Sequence, residues 1–218
     1  MLPPDLGAEL EGKMNPDAFV HAAAQPVATW SGGITRAIYA YPPDHLTQLA
    51  AAHVWVGTAT IERDCAYSVF PNRTRIHLPI RGNGLHLRFR QPDAAIDLHN
   101  FAQTTFAGDR PLDVTLLDGP VQAFNLIFHP TVQAGLQVLH LTACAGRTAL
   151  APLPPGAVAG RRAVRVIYAV NGACNCEEAG AQPITLQAGD ACVPTQDSGI
   201  SVSSEDEDAD VVVARLIF

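Results

Sequence analysis

Lysine is almost missing from this chain: Lys13 is the single example in 218 residues. The 14 basic side chains face 21 acidic ones, for a formal charge of −7. A surface of that sign repels nucleic-acid phosphates and anionic lipid headgroups, which are held through clustered lysine and arginine. Neither nucleic acid nor a membrane surface is therefore an expected partner. Charged residues make up only 16% of a chain that is 48% hydrophobic, a balance that belongs to a compact globular protein and excludes a disordered polyelectrolyte. No run of 18 apolar residues occurs, so no spanning helix is expected. Met1 to Met14 lacks the basic-then-apolar pattern of a secretory leader, being acidic and proline-containing instead. The five cysteines are odd in number and widely spaced, and read as reduced thiols of a cytoplasmic protein. Also missing are G-x-S-x-G, a phosphate-binding P-loop and G-x-G-x-x-G, so no hydrolase elbow or nucleotide cradle is in view.

What is present reads as strand. Phe70-Pro71-Asn72 makes a turn, after which Arg75, His77 and Ile80 fall in a strand-like run. Gly82-Asn83-Gly84 punctuates it, and a second alternating run ends at Phe89. The same form returns from Arg165 to Cys176 about Asn171-Gly172, and both are expected to be hairpins. Further strands are expected at Thr35–Tyr41, Val54–Glu62, Ala95–Leu98, Leu112–Leu117 and Ala123–Phe128. After them come Val138–Leu141, Val164–Val170, Ile184–Leu186, Ala191–Val193, Ile200–Val202 and the closing Val211–Phe218. Asp44–His53, with Asp44 as an N-cap and leucines at 46 and 49, predicts a short helix. Pro152–Gly156 predicts a surface loop.

The two halves agree at three points in the same order. Gly84 matches Gly172, Ala107–Asp109 matches Ala188–Asp190, and the Leu-Ile-Phe ending at Phe128 matches that ending at Phe218. Repeated strand patterns of this size predict an all-β, tandem double-stranded β-helix: two jelly-roll barrels, or a bicupin. The expected division is a loose leader at 1–18, a first barrel at 19–130 and a second at 131–218. Exposed edge strands of such barrels would allow a homodimer.

Trp30, Gly32, Gly33, Thr35, Arg36 and Ile38 (W-x-G-G-x-T-R-x-I) form the first of several short motifs. Others are Val54 to Ile61, Ser68-x-Phe70-Pro71 with Arg75, Phe106–Asp109, Leu116–Val121 and Phe124-Asn125. Together they resemble the HutD/Ves family over about residues 19–218. The resemblance implies a bicupin fold, a cytosolic setting and no demonstrated catalytic role. For members among histidine-utilisation genes it implies metabolite sensing or regulation, and other members are stress- or cold-associated. The chain departs from the pattern at Val56, Asn72, Ala123 and near His129-Pro130, where the family tends to place arginine, glycine, aspartate and arginine.

Arg36 and Arg75 are the leading candidates for chemistry, because an arginine inside a barrel requires an anion. One reading is a guanidinium clamp on a small carboxylate metabolite, walled by Trp30, Trp55 and Phe70 and oriented by Thr35 and Asn125. Against it stands an internal ion pair, with Asp109 or Asp118 as partner. His77 and His129 serve either as further ligand contacts or, in a competing enzyme reading, as the histidines of a metal-dependent oxygenase or metal-free isomerase. The expected balance is against catalysis: no His-x-His with a following glutamate is present, so no metal and no cofactor is expected. Cys174, Cys176 and Cys192 lack a fourth thiolate and read as core packing. The acidic run from Glu205 to Asp210 reads as a solvated loop. A third reading is a structural or partner-binding protein whose barrels hold nothing.

Overall fold

The computed structural model describes residues 18–90, 92–152, 161–195 and 199–218. The expected leader at 1–18, apart from Ala18, and most of the expected loop at Pro152–Gly156 lie outside them. Among the described residues the chain is all-β. Its strands are β1 (Phe19–Val20), β2 (Val27–Trp30), β3 (Gly33–Tyr41), β4 (Val54–Ile61), β5 (Cys65–Ala66), β6 (Thr74–Arg81), β7 (Leu85–Arg90), β8 (Asp93–Leu98), β9 (Thr104–Ala107) and β10 (Leu112–Leu116). They continue with β11 (Val121–Phe128), β12 (Gln133–Leu141), β13 (Thr148–Ala149), β14 (Ala163–Asn171), β15 (Cys174–Glu178), β16 (Ile184–Leu186), β17 (Ala191–Cys192), β18 (Ile200–Ser203) and β19 (Ala209–Ile217).

Two units divide the chain. The first is residues 23–136; the second is residues 137–218 with the N-terminal stretch ending at Ala22. In the first unit a six-stranded sheet, β2-β3-β4-β11-β6-β9, accompanies a four-stranded one, β5-β10-β7-β8. Ala59, Ile61, Val121 and Ala123 of the larger sheet share an apolar core with Leu85, Leu87, Leu98, Leu112 and Val114 of the smaller. In the second unit the sheets are β1-β17-β14-β19-β12 and β13-β18-β15-β16, and Ile167, Ala169, Val211 and Val213 meet Cys174, Cys176, Ile200 and Val202 between them. The order β4-β11-β6-β9 thus recurs as β12-β19-β14-β17, and β5-β10-β7-β8 as β13-β18-β15-β16. The repeat seen in the sequence is a repeat of strand order.

Four expectations change. The division falls after Leu136 rather than Pro130, and Phe19–Val20 pairs with Cys192–Ala191 of the second unit. A two-residue strand finds its place through edge hydrogen bonds and the packing of Phe19 on the second core, neither of which a local pattern encodes. The two glycine-centred segments are not hairpins: β6 and β7 lie in different sheets, as do β14 and β15. Gly82, Gly84 and Gly172, with φ of 96°, 102° and 63°, carry the chain from one sheet to the other. A turn residue that permits positive φ does not specify whether the following strand pairs with the preceding one. The Ala-Gly-Asp match is also not structural, since Ala107 ends a strand whereas Asp190 precedes one. Finally, the helix expected over Asp44–His53 is only a 3-10 turn at Pro43–His45. Leu46 and Leu49 pack against a small core of Ala37, Ala40, Ala52, Trp55 and Ile127.

Candidate functional site

The six-stranded sheet of the first unit buries a polar group that apolar packing alone would not tolerate. On β6, Arg75 and His77 are two residues apart and share a face; on β11, Asn125 is directly opposite His77. All three are buried, at 7%, 0% and 2% exposure. Asn125 Oδ1 accepts from Arg75 Nε at 3.0 Å and Nη2 at 2.7 Å, and lies 2.7 Å from His77 Nδ1. An oxygen there requires the Nδ1–H tautomer of His77, which leaves Nε2 to accept from the Tyr67 hydroxyl at 3.2 Å. The 3.4 Å approach of Arg75 Nη2 to His77 Nδ1 then joins two donors and is a by-product of their shared acceptor.

Burial, followed by the neighbouring Arg75 charge, pushes the His77 pKa down to about 3, so the imidazole is neutral at physiological pH. Burial also raises the Tyr67 phenol above its ordinary value, and lowers the Arg75 pKa while Tyr67 opposes that shift. Arg75 remains a cation at any working pH. Its guanidinium lies 4.4 Å from the Tyr67 ring centre and 5.7 Å from that of Phe106, an aromatic surround that offsets part of its desolvation. Among the described residues, no carboxylate pairs with Arg75, and its Nη1 makes no hydrogen bond. Asp118 instead accepts from Asn83 at an exposed position.

Above this group opens a pocket of about 160 Å³, lined by Trp30, Thr35, Leu49, Trp55, Phe70, Arg75 and Asn125, with Ala28, Thr29, Ala59, Tyr67, Ser68 and Ile127. Trp55 is fixed by an indole hydrogen bond of 3.1 Å to the Leu46 carbonyl. Its ring lies over Gly57, where an added Cβ would overlap the indole and the Arg36 carbonyl. Trp30 meets Tyr67 edge-on at 5.7 Å between ring centres, and its buried Nε1 has no partner among the described residues.

Six of the nine residues singled out from sequence meet at this pocket: Trp30, Thr35, Trp55, Phe70, Arg75 and Asn125. His77 lies behind it, holding Asn125 and Tyr67. Arg36 does not join them, because strand alternation turns it to the face opposite Thr35. His129 is beyond the end of β11, stacked on His53 at 4.6 Å and bonded to Thr131. It lies four residues from Asn125, roughly 13 Å along an extended chain, so it does not converge with His77. Tyr67 was missed: it follows a two-residue strand in a polar stretch, and only its pairing to Leu112 brings it under Arg75. No group of three or more His, Cys, Asp or Glu among the described residues could hold a metal ion.

The fold of the chain is cupin-like. A family profile for HutD matches residues 22–212. The protein belongs to the HutD family. Among solved structures it is similar to a conserved protein of unknown function from Pseudomonas aeruginosa PAO1, at 22% identity and a TM-score of 0.73, covering 91% of this chain and 97% of that one. HutD from Pseudomonas fluorescens SBW25, determined in a formate condition, is similar at 19% identity and a TM-score of 0.64, over 90% and 96% of the two chains. An oxalate decarboxylase–formate complex from Lactobacillus farciminis shares 10% identity at a TM-score of 0.64, over 91% and 85%. These likenesses show the fold. A search of curated protein sequences finds no match.

Proposed function

We propose that the first unit binds a small carboxylate metabolite and that the protein acts as a binding or regulatory protein rather than as an enzyme. The observation that carries this reading is Arg75, a buried cation on a pocket wall whose polar partners are all neutral. A carboxylate entering the pocket would meet its unused Nη1–H, with the Trp30 ring among the walls. Trp55, Phe70 and Leu49 would cover the rest of a molecule of few heavy atoms. The neutral His77–Asn125–Tyr67 chain holds the guanidinium in place and supplies no acid at physiological pH, which favours binding over proton transfer. Formate, present with two structural neighbours, is a natural first probe. From the resemblance we take the role to be linked to histidine or other amino-acid catabolism, or to a stress response.

The test is thermal unfolding of the purified protein with formate, acetate and larger mono- and dicarboxylates at constant ionic strength. A ligand at about 100 times its Kd should add about 2.7 kcal/mol, a rise of several degrees. The rise should vanish in Arg75→Gln and in Thr35→Leu, which fills the pocket without touching the buried polar group. No shift in the wild-type protein with any carboxylate would overturn the proposal.

A further inference from the structure

A second cavity adjoins the pocket at Arg75. It holds about 100 Å³, and its walls include Val27, Ala37, Leu46 and Thr47, none of which lines the first. Ala28, Thr35, Leu49 and Trp55 line both, so the two spaces meet along one wall. Strand register lays them out across the six-stranded sheet. Arg75 on β6 is opposite Ile127 on β11, which is opposite Trp55 on β4. Two residues along, Asn125 faces Gly57, and Gly57 faces Ala37 on β3. The row after that runs through Ala59 and Thr35 to Ala28 on β2. Alternation puts these side chains on one face, and from Arg75 to Ala37 is three strand steps, roughly 14 Å at the usual spacing of a sheet. Past Trp55 the residues on that face are small, and this leaves the room the second cavity occupies. The Trp55 indole stands between the two spaces, held over Gly57 by its bond to the Leu46 carbonyl.

Polarity changes along the same path. Arg75 and Asn125 stand at the β6–β11 end, and among the described residues no charged side chain other than Arg75 lines either cavity. Thr35 and Thr47 are the polar side chains of the second cavity, and Thr35 already donates to the Ala28 carbonyl at 3.4 Å. We propose that the ligand is a monocarboxylate with an aliphatic tail, its carboxylate on Arg75 and its tail running past Trp55 and Leu49 into the second cavity. This rests on the reading of Arg75 as the carboxylate anchor and adds the class of acid selected. Each methylene laid against those apolar walls leaves water and strengthens binding. A dicarboxylate would carry a second charge to a place where no partner meets it, losing hydration with no ion pair in return. An amino acid would bring an ammonium with no carboxylate on either wall to receive it. The paired cavities therefore sort acids by what they carry at the end remote from the carboxylate.

Acetate, butyrate, pentanoate and hexanoate are titrated calorimetrically into the purified full-length protein at fixed ionic strength, with glutarate as the dicarboxylate equal in length to pentanoate. The proposal expects one saturable site whose Kd tightens from acetate to hexanoate by about fourfold per added methylene, the equivalent of about 0.8 kcal/mol. Glutarate should bind at least about tenfold more weakly than pentanoate. Val27→Asp, at an exposed position on the edge strand β2, sets a carboxylate on the wall of the second cavity. It should bring the hexanoate-to-acetate affinity ratio close to one, and Ala37→Val, which narrows the same cavity, should lower that ratio in smaller degree. Hexanoate binding no tighter than acetate, glutarate equal to pentanoate, or a ratio unchanged in Val27→Asp overturns the tail assignment and leaves the Arg75 anchor standing. Hexanoate affinity retained in Arg75→Gln overturns the anchor, and the proposed orientation with it. No saturable binding by any of the acids overturns both.

Discussion

The two units use one order of strands to bury opposite kinds of polar chemistry. In the first, the inward row on β6 and β11 is His77 facing Asn125, with Arg75 on the next row, and a single amide oxygen satisfies both the imidazole and the guanidinium. In the second, the inward row on β14 and β19 is Arg165 facing Arg215, with Arg165 donating to the Ala151 carbonyl and Arg215 to Gln137. Deeper in, the contrast continues. The first core is built of aliphatic residues and aromatic rings such as Tyr67, Phe89 and Phe106, while the second packs Cys174, Cys176 and Cys192 together. Strand order is fixed by backbone pairing and a continuous apolar face, so it tolerates any row at the end of the core whose polar atoms find partners. That freedom is where the two halves of the repeat diverge in side-chain chemistry.

The comparison breaks most sharply at Asn125. Asn125→Ala removes the shared acceptor of Arg75 and His77 and leaves a buried cation and a buried N–H unmatched, for an expected loss of about 3–5 kcal/mol in chemical denaturation. Asn125→Asp, which keeps the acceptor and pairs the charge, should recover much of it. A loss below about 1 kcal/mol for the alanine variant would mean that water replaces the amide.

Protonation gives the next effect. His77 stays neutral in the folded protein down to about pH 3, whereas in the unfolded chain it takes up a proton near its ordinary value of 6.5. The unfolded state therefore binds more protons between those limits, and stability must fall as pH drops through that window. It is unaffected by this residue above it. The expected slope is about 1.4 kcal/mol per pH unit from this one group. Denaturant unfolding at several values between pH 7 and pH 4.5 should show a steeper decline for the wild type than for His77→Gln. Parallel curves would place the proton elsewhere.

The smallest effect sharpens the contrast between the cores. Burial pushes the Cys174 thiol up to about 12, and contact with Cys176 together with burial raises Cys192 well above its ordinary value. A thiol reagent should therefore label exposed Cys144 first and half-buried Cys65 more slowly. The three buried cysteines of the second core, Cys174, Cys176 and Cys192, should react only on unfolding. Labelling of any of them at the rate of Cys144 in native buffer would show that the second core opens.

Much of this was legible in the sequence wherever a strand is buried on both faces. β4, β6, β11, β14 and β19 announce themselves as apolar runs, and Arg75 stood out as a charge inside one of them. Of the aromatic pocket walls only Trp55 lies on such a strand; Trp30 and Phe70 were legible from the short motifs that carry them. The short edge strands β1, β2, β5 and β9 were not, because pairing and not local pattern makes them strands. Arg36 and His129 were misplaced for a related reason. A motif gives residue types, but the face of Arg36 and the end of the strand before His129 depend on register.

Composition and periodicity alone determined that the chain is all-β and that its strand pattern repeats; they set an arginine inside the first repeat and led to the expectation of an anion, whereas the acceptor among the described residues is the neutral Asn125 amide. These follow from side-chain transfer costs and the two-residue period of a strand, both local quantities. Only the tertiary structure decided that the glycine turns change sheets and that Tyr67 and Asn125 close around Arg75 and His77. It alone set Arg165 against Arg215 across a ladder. Those are contacts between residues tens of positions apart, fixed by strand register and sheet packing, and no local energy in the chain encodes them.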